Sequence, residues 1–225
     1  MKNGVKPYPP RVTYINPHEF TEALSLFFVR HPDSGLPSSG GMDYARDWRP
    51  EGEGQAEWVA GYFRGVELDS VISSGVWRAH RLALALVKDL GIRVIQIPTL
   101  GFAGDENDAV EVMFRDRGQM ALRGWQSHPL WGCMEGFGFI ALNALMERVV
   151  DLTDASSAGV NVAVIGHAVN LAAMVLAIGN VFNDPITKQQ GLDEFLDGGD
   201  MFQLSFTDSG PTATIIRCPV NNQPK

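Results

Sequence analysis

Cysteine is nearly absent, with only Cys133 and Cys218 in 225 residues. The two form neither a CxxC pair nor a zinc-ligand spacing. That speaks against a disulfide framework or a structural zinc site and makes a reduced, cytoplasmic setting the expectation. Long apolar runs are also missing. No stretch approaches the roughly 20 residues that span a bilayer. The opening segment MKNGVKPYPPRVTYINPHEF lacks the apolar centre of a secretory signal. Basic residues are outnumbered, 18 Lys and Arg against 26 Asp and Glu, for a net charge of -8. This balance argues against nucleic acid or a membrane surface as a partner. It leaves room for a small anionic substrate, because a few arginines in a pocket outweigh the average field locally.

What the chain does have is enough apolar material for a core: 45% hydrophobic residues against 20% charged. Its length fits one domain. Residues 1–22, rich in Pro and polar groups, read as an arm, and residues 23–225 as a single domain without repeats or low-complexity linkers. Strand-like runs at 24–30, 69–74, 93–97 and 161–165 alternate with helical spacings at 52–63, 76–90, 136–150 and 170–178. Two further strands, near 202–206 and 212–216, flank the turn Thr207-Asp208-Ser209-Gly210-Pro211 and suit an antiparallel edge hairpin. This alternation predicts an α/β sandwich with a largely parallel sheet.

Three polar sites stand where predicted strands run out: Arg30-His31-Pro32, then Ser73-Ser74-Gly75-Val76-Trp77-Arg78, then Gly166-His167. Ligands of open α/β sheets bind beyond the carboxyl ends of the strands. Two histidines and two arginines can therefore converge at one rim. A neutral imidazole can attack phosphorus and hold the phosphoryl group covalently. Guanidiniums can orient and neutralise its equatorial oxygens. A second histidine can hydrogen-bond a phosphoryl oxygen, and an acid must protonate the leaving alkoxide.

These residues resemble a known family. FFVRHPDS is similar to the Arg-His-Gly signature of the histidine phosphatase superfamily, the phosphoglycerate-mutase-like proteins. WRPEGEGQAEWVA is similar to the helix that follows it, SSGVWRAHRLA to the Ser-Ser-x-x-x-Arg-Ala turn, and VAVIGHAVNLAAMV to the strand and helix with the second histidine. The four matches fall in family order over roughly residues 24–178. The resemblance implies a three-layer α/β/α sandwich with a mostly parallel central sheet. It implies His31 as the phosphoryl-accepting nucleophile, Arg30 and Arg78 as phosphoryl ligands, and His167 as the second pocket histidine. The activity it implies is hydrolysis of a small phosphate monoester through a phosphohistidine, with no metal and no organic cofactor. A mutase, or a non-catalytic phospho-ligand binder on the same fold, is the alternative. The sequence leaves the oligomeric state and the substrate open.

The chain also departs from the pattern. Pro32 stands where the family has Gly, and it has no N–H to offer a phosphate. No Asn follows in Asp33-Ser34-Gly35-Leu36-Pro37-Ser38-Ser39, so Ser38 or Ser39 is the substitute polar ligand. Phe102 stands where many members carry the acid. The nearest carboxylates are Asp105 and Glu106, then Asp108 and Glu111. Glu106 is the first choice for the catalytic acid and Asp105, otherwise a substrate ligand, the second. The same carboxylates also read as an ordinary solvated loop.

Other residues have plainer readings. His18, His80 and His128 read as structural. Gln55 and Trp58 read as stabilising the first helix. Phe102, Phe114, Trp125, Trp131 and Phe137 read as core or lid packing before pocket lining. Arg115, Arg117 and Arg123 read as surface ion-pairing residues, or as a second anion site if they face the cleft.

Overall fold

The computed structural model describes residues 20, 24–34, 46–101, 112–113, 116–117, 120–155 and 159–222. Its elements are β1 (Leu24–Arg30), α1 (Pro50–Phe63), β2 (Ser70–Ser73), α2 (Trp77–Val87), β3 (Val94–Gln96), α3 (Trp131–Ala155), β4 (Val160–Gly166), α4 (Ala168–Val181), α5 (Pro185–Asp193), β5 (Met201–Thr207) and β6 (Gly210–Ile216). Single turns of 3-10 helix lie at Pro98–Gly101, Leu122–Trp125 and Pro219–Asn222.

The six strands form one sheet in the order β3-β2-β4-β1-β5-β6. The first four are mutually parallel. β5 joins β1 antiparallel, and β6 closes the edge as its hairpin partner. Helices cover both faces, which is why β1 carries the continuous apolar run Leu26–Val29 within LSLFFVR. Its side chains still alternate. Leu24, Leu26 and Phe28 enter one core with α3 and α4, while Phe27 and Val29 enter the other with α1 and α2. β4 divides likewise, Val160, Val162 and Val164 against Ala163 and Ile165. The result is the expected α/β/α sandwich.

α2 buries Arg78, Ala79, Leu82, Ala83 and Leu86, one face at helical spacing. α4 is buried almost all round, from Ala168 through Gly179. It fits there because α3 approaches it closely: a Cβ at Gly138 would lie 2.3 Å from the Ala173 carbonyl oxygen.

Element ends differ from expectation by up to five residues, and one helix is unexpected. α3 starts five residues before the predicted Gly136, at Trp131. α5 is a helix that no apolar periodicity marks. Asp184 caps it, its carboxylate accepting from the Thr187 N–H at 2.7 Å, and Pro185 opens its first turn. Among the described residues no helix is long and apolar enough to cross a membrane.

Candidate active site

Three adjacent parallel strands set the site. β2, β4 and β1 are neighbours, with Ser73 opposite Ile165 and Gly166 opposite Arg30. The residues that follow each strand therefore emerge side by side. The His31 and His167 rings lie 4.9 Å apart, centroid to centroid, at 70°. That is about the spacing of neighbouring strands.

Arg78 joins the two rings. It enters from the first turn of α2, behind the Ser73-Ser74-Gly75 turn. Its Nε donates to His31 Nε2 at 3.1 Å and its Nη2 lies 3.4 Å from His167 Nδ1. His31 Nδ1 is 2.6 Å from the Pro32 carbonyl oxygen. A carbonyl only accepts and a guanidinium only donates. His31 is thus neutral, with its proton on Nδ1 and its lone pair on Nε2. By the same logic His167 accepts at Nδ1 and donates from Nε2 to Ser74 Oγ, 3.3 Å away. Burial is the main force holding both imidazoles well below their usual range. The cost of protonating both rings together, then the Arg78 and Arg30 charges, add to it at His31, and the charges of Arg78, Arg30 and Arg46 add to it at His167.

Arg30 ends β1 with its backbone tied to β5, the N–H donating to the Asp200 carbonyl at 2.9 Å. Its guanidinium donates to the Leu196 carbonyl. It lies 3.7 Å from both Asp33 and Asp197, and its carbon sits 5.2 Å from the Phe195 ring centre. Burial lowers its pKa and the three carboxylates Asp33, Asp197 and Asp200 oppose that shift.

The turn behind His31 is locked from below. The Asp33 N–H donates to Gln55 Oε1 at 2.7 Å, and Gln55 Nε2 donates back to Asp33 Oδ2 at 3.0 Å. Gln55 therefore does more than stabilise α1: it fixes the loop that carries the histidine. Gly52 lets that loop pass, since a Cβ there would meet the Asp33 carbonyl oxygen at 2.6 Å. Pro32 lacks an N–H, but its carbonyl sets the His31 tautomer.

A strap at 46–49 crosses the same rim. Ser34 bridges Trp48, the Arg49 N–H donates to the Asp33 carbonyl at 2.9 Å, and Trp48 Nε1 donates to the Arg78 carbonyl at 2.9 Å. Arg81 lies over the Trp48 ring at 4.1 Å and pairs with Asp47 and Glu53. Arg46, on this strap, brings a third arginine charge to bear on His167. Sequence reasoning misses Arg46, because nothing local ties it to the strand ends.

The structure brings His31, Arg30, Arg78 and His167 to one rim. Ser38, Asp105 and Glu106 lie outside the described residues, as do Ser39, Phe102, Asp108, Glu111, Phe114, Arg115 and His18. His80 contacts Ser73 Oγ at 3.4 Å and the Gln96 amide at 3.1 Å. His128 is buried in a turn, accepting from the Leu130 N–H at 3.2 Å and facing Asp116. Arg123 pairs with Asp193 and Arg117 donates to Ser127, so both take the surface reading. Trp125 and Phe137 are core, and Trp131, partly buried, packs against that core. Among the described residues no group of three or more His, Cys, Asp or Glu could hold a metal ion.

Residues 26–191 match the histidine phosphatase superfamily (branch 1). The chain belongs to that superfamily. Solved structures share the fold. A mycobacterial glucosyl-3-phosphoglycerate phosphatase aligns with a TM-score of 0.60 at 17% identity, over 86% of this chain and 97% of that one. A phosphoserine phosphatase from Entamoeba histolytica, in complex with 3-phosphoglyceric acid, aligns at 0.59 and 13%, over 88% and 98%. A phosphoglycerate mutase from Bacillus anthracis aligns at 0.58 and 12%, over 86% and 92%. No curated protein matches the chain in sequence.

Proposed function

We propose that the chain is a phosphohydrolase that cleaves a small phosphate monoester through a phosphohistidine on His31. The observation that carries this reading is the Arg78 guanidinium set between two neutral imidazoles, 3.1 Å from one and 3.4 Å from the other.

In the first half-reaction His31 Nε2 attacks phosphorus. The N–P bond forms and the ester P–O bond breaks. Pro32 holds the Nδ1 proton as positive charge develops on the ring. Arg78 leaves Nε2 for the incoming dianion, a better acceptor for a guanidinium. Arg30 adds its charge from the end of β1, and His167 offers its Nε2–H to a phosphoryl oxygen in place of Ser74. The leaving alkoxide takes a proton from a carboxylic acid, Glu106 first and Asp105 second. In the second half-reaction that carboxylate takes a proton from water, the water oxygen bonds to phosphorus and the N–P bond breaks. Ester and water become alcohol and inorganic phosphate. The scheme draws on no metal ion and no organic cofactor. Ser38 would supply a further polar ligand to the phosphoryl group.

The test is trapping with a labelled phosphodonor at neutral pH. Acid-labile, alkali-stable label that disappears in His31→Ala, together with phosphate release from an aryl phosphate, is the expected result. Wild-type turnover by His31→Ala would overturn the mechanism. Phosphate that binds and is never transferred would make the protein a phospho-ligand binder.

A further inference from the structure

The C-terminal turn lies beyond residue 191, where the superfamily match ends, yet its side chains reach the loop behind His31. Pro219–Asn222 forms one turn of 3-10 helix against α1, where a Cβ at Gly54 would lie 3.7 Å from Val220. Asn221 is its inward-facing amide. Its Nδ2 donates to Asp200 Oδ1 at 3.0 Å and to the Gly198 carbonyl at 3.2 Å. Both partners only accept, which fixes the orientation of the amide. Asn221 Oδ1 then faces Gln55 Nε2 at 2.8 Å.

That oxygen reinforces the orientation that Asp33 imposes on Gln55 and anchors the amide to the last turn of the chain. With Nε2 shared between Asn221 Oδ1 and Asp33 Oδ2, Oε1 is left to receive the Asp33 N–H. A flipped Gln55 would set its oxygen against two acceptors, Asn221 Oδ1 and Asp33 Oδ2, and its NH2 against the Asp33 N–H. The far end of the chain of contacts is equally well held. Asp200, 1% exposed, receives Arg217 at 2.7 Å and the Cys218 N–H at 2.8 Å. Its backbone carbonyl receives the Arg30 N–H, and the Asp33 carboxylate stands beside the Arg30 guanidinium. The relay therefore meets the backbone on both sides of His31, at Arg30 and at Asp33.

We propose that Asn221 is a positioning residue for the phosphoryl site. By fixing the Gln55 amide it holds the Asp33 turn, and with it Arg30 and His31, in the pose that receives a phosphoryl group. This inference rests on the phosphatase reading and adds the last turn of the chain to the site's scaffold.

Asn221→Asp is the discriminating variant. It keeps the shape and an oxygen toward Gln55, but sets its second oxygen against Asp200 Oδ1 and the Gly198 carbonyl. Asn221→Ala removes the relay without adding charge. The full chain and both variants are compared by kcat and KM on an aryl phosphate, by calorimetric Kd for inorganic phosphate, and by Tm, with activity read well below the transition. The expected result is a loss of about tenfold in kcat/KM, the scale of one hydrogen bond to a charged group. Phosphate binding weakens in parallel, with Asn221→Asp no better than Asn221→Ala. An isosteric Asn221→Asp that matched wild type in both kcat/KM and phosphate Kd would show that Asn221 merely fills space and would overturn the proposal. Should that variant unfold, Asn221→Ala decides by the same two measurements. A wild-type chain that binds phosphate but hydrolyses no ester would overturn the phosphatase reading alone, and the phosphate Kd of the variants would still decide on Asn221.

Discussion

Arg78 Nε donates to His31 Nε2 at 3.1 Å. This is the lone pair that the proposed mechanism needs for attack. The contact keeps the imidazole unprotonated before substrate arrives, since a cation on that side repels a second proton. It also means that a phosphoryl group must draw Arg78 away as it approaches His31. Arg78→Ala should lower kcat/KM by about 10²-fold or more, the scale of removing one transition-state donor. Arg78→Lys should recover only part of it, because a point charge cannot serve both rings. Steady-state kinetics on an aryl phosphate measure both.

The two buried imidazoles also make stability depend on pH. Their pKa values lie well below the ordinary range, from burial first and nearby cationic groups second. Below about pH 6.5 the unfolded chain gains protons that the native pair refuses. Unfolding then takes up protons, so stability falls as pH drops through that value. Urea midpoints should decrease from about pH 7 to about pH 5, and decrease less in a His31→Asn, His167→Asn double variant. The acid limb of kcat/KM should lie below about pH 6.5 for the same reason. Identical urea shifts in the wild type and the double variant would refute this account.

Phosphate should stabilise the folded chain. A ligand at about 100 times its Kd adds about 2.7 kcal/mol. Thermal melts with inorganic phosphate should show a rising Tm in the wild type and a much smaller rise in Arg78→Ala. An equal rise in both would place the anion elsewhere.

Two glycines separate fold from site. Gly138→Ala drives a methyl into the Ala173 carbonyl at the α3–α4 contact, and Gly52→Ala drives one into the Asp33 carbonyl behind His31. Each should cost about 1–3 kcal/mol by overpacking. Activity per folded molecule should stay near wild type in Gly138→Ala and drop in Gly52→Ala. Denaturant titration beside initial rates tells them apart.

Glu106→Gln should slow esters with poor leaving groups far more than aryl phosphates, because the acid matters most where the alkoxide is basic. A Glu106→Gln variant equal to wild type beside a failing Asp105→Asn would transfer the role to Asp105. The measured quantity is kcat/KM against leaving-group pKa.

Much of this is legible in the chain, for identifiable reasons. β1 and β4 are buried on both faces along Leu26–Val29 and Val162–Ile165, so those apolar runs are unbroken, and the polar residues that follow them stand out. Arg78 is readable because Ser73-Ser74-Gly75 punctuates the strand just before it. α5 is not, because PITKQQGLD has little apolar content, and its helix rests on the Asp184 cap, Pro185 and packing against α4. The roles of Gln55 and Asn221 are hidden for a different reason. A lone amide carries no signal of the partner it will meet 166 positions away. Arg46 escapes likewise, since no motif ties it to the histidine on which its charge acts.

Because Arg30 and Gly166 are cross-ladder partners, the gap between the two histidines starts from backbone pairing, and the Asp33 turn locks the His31 side of it. Loops outside that lock can be lengthened, shortened or recoloured in charge while the two imidazoles keep their separation. New specificities can therefore be grafted onto this rim without rebuilding the machinery beneath it.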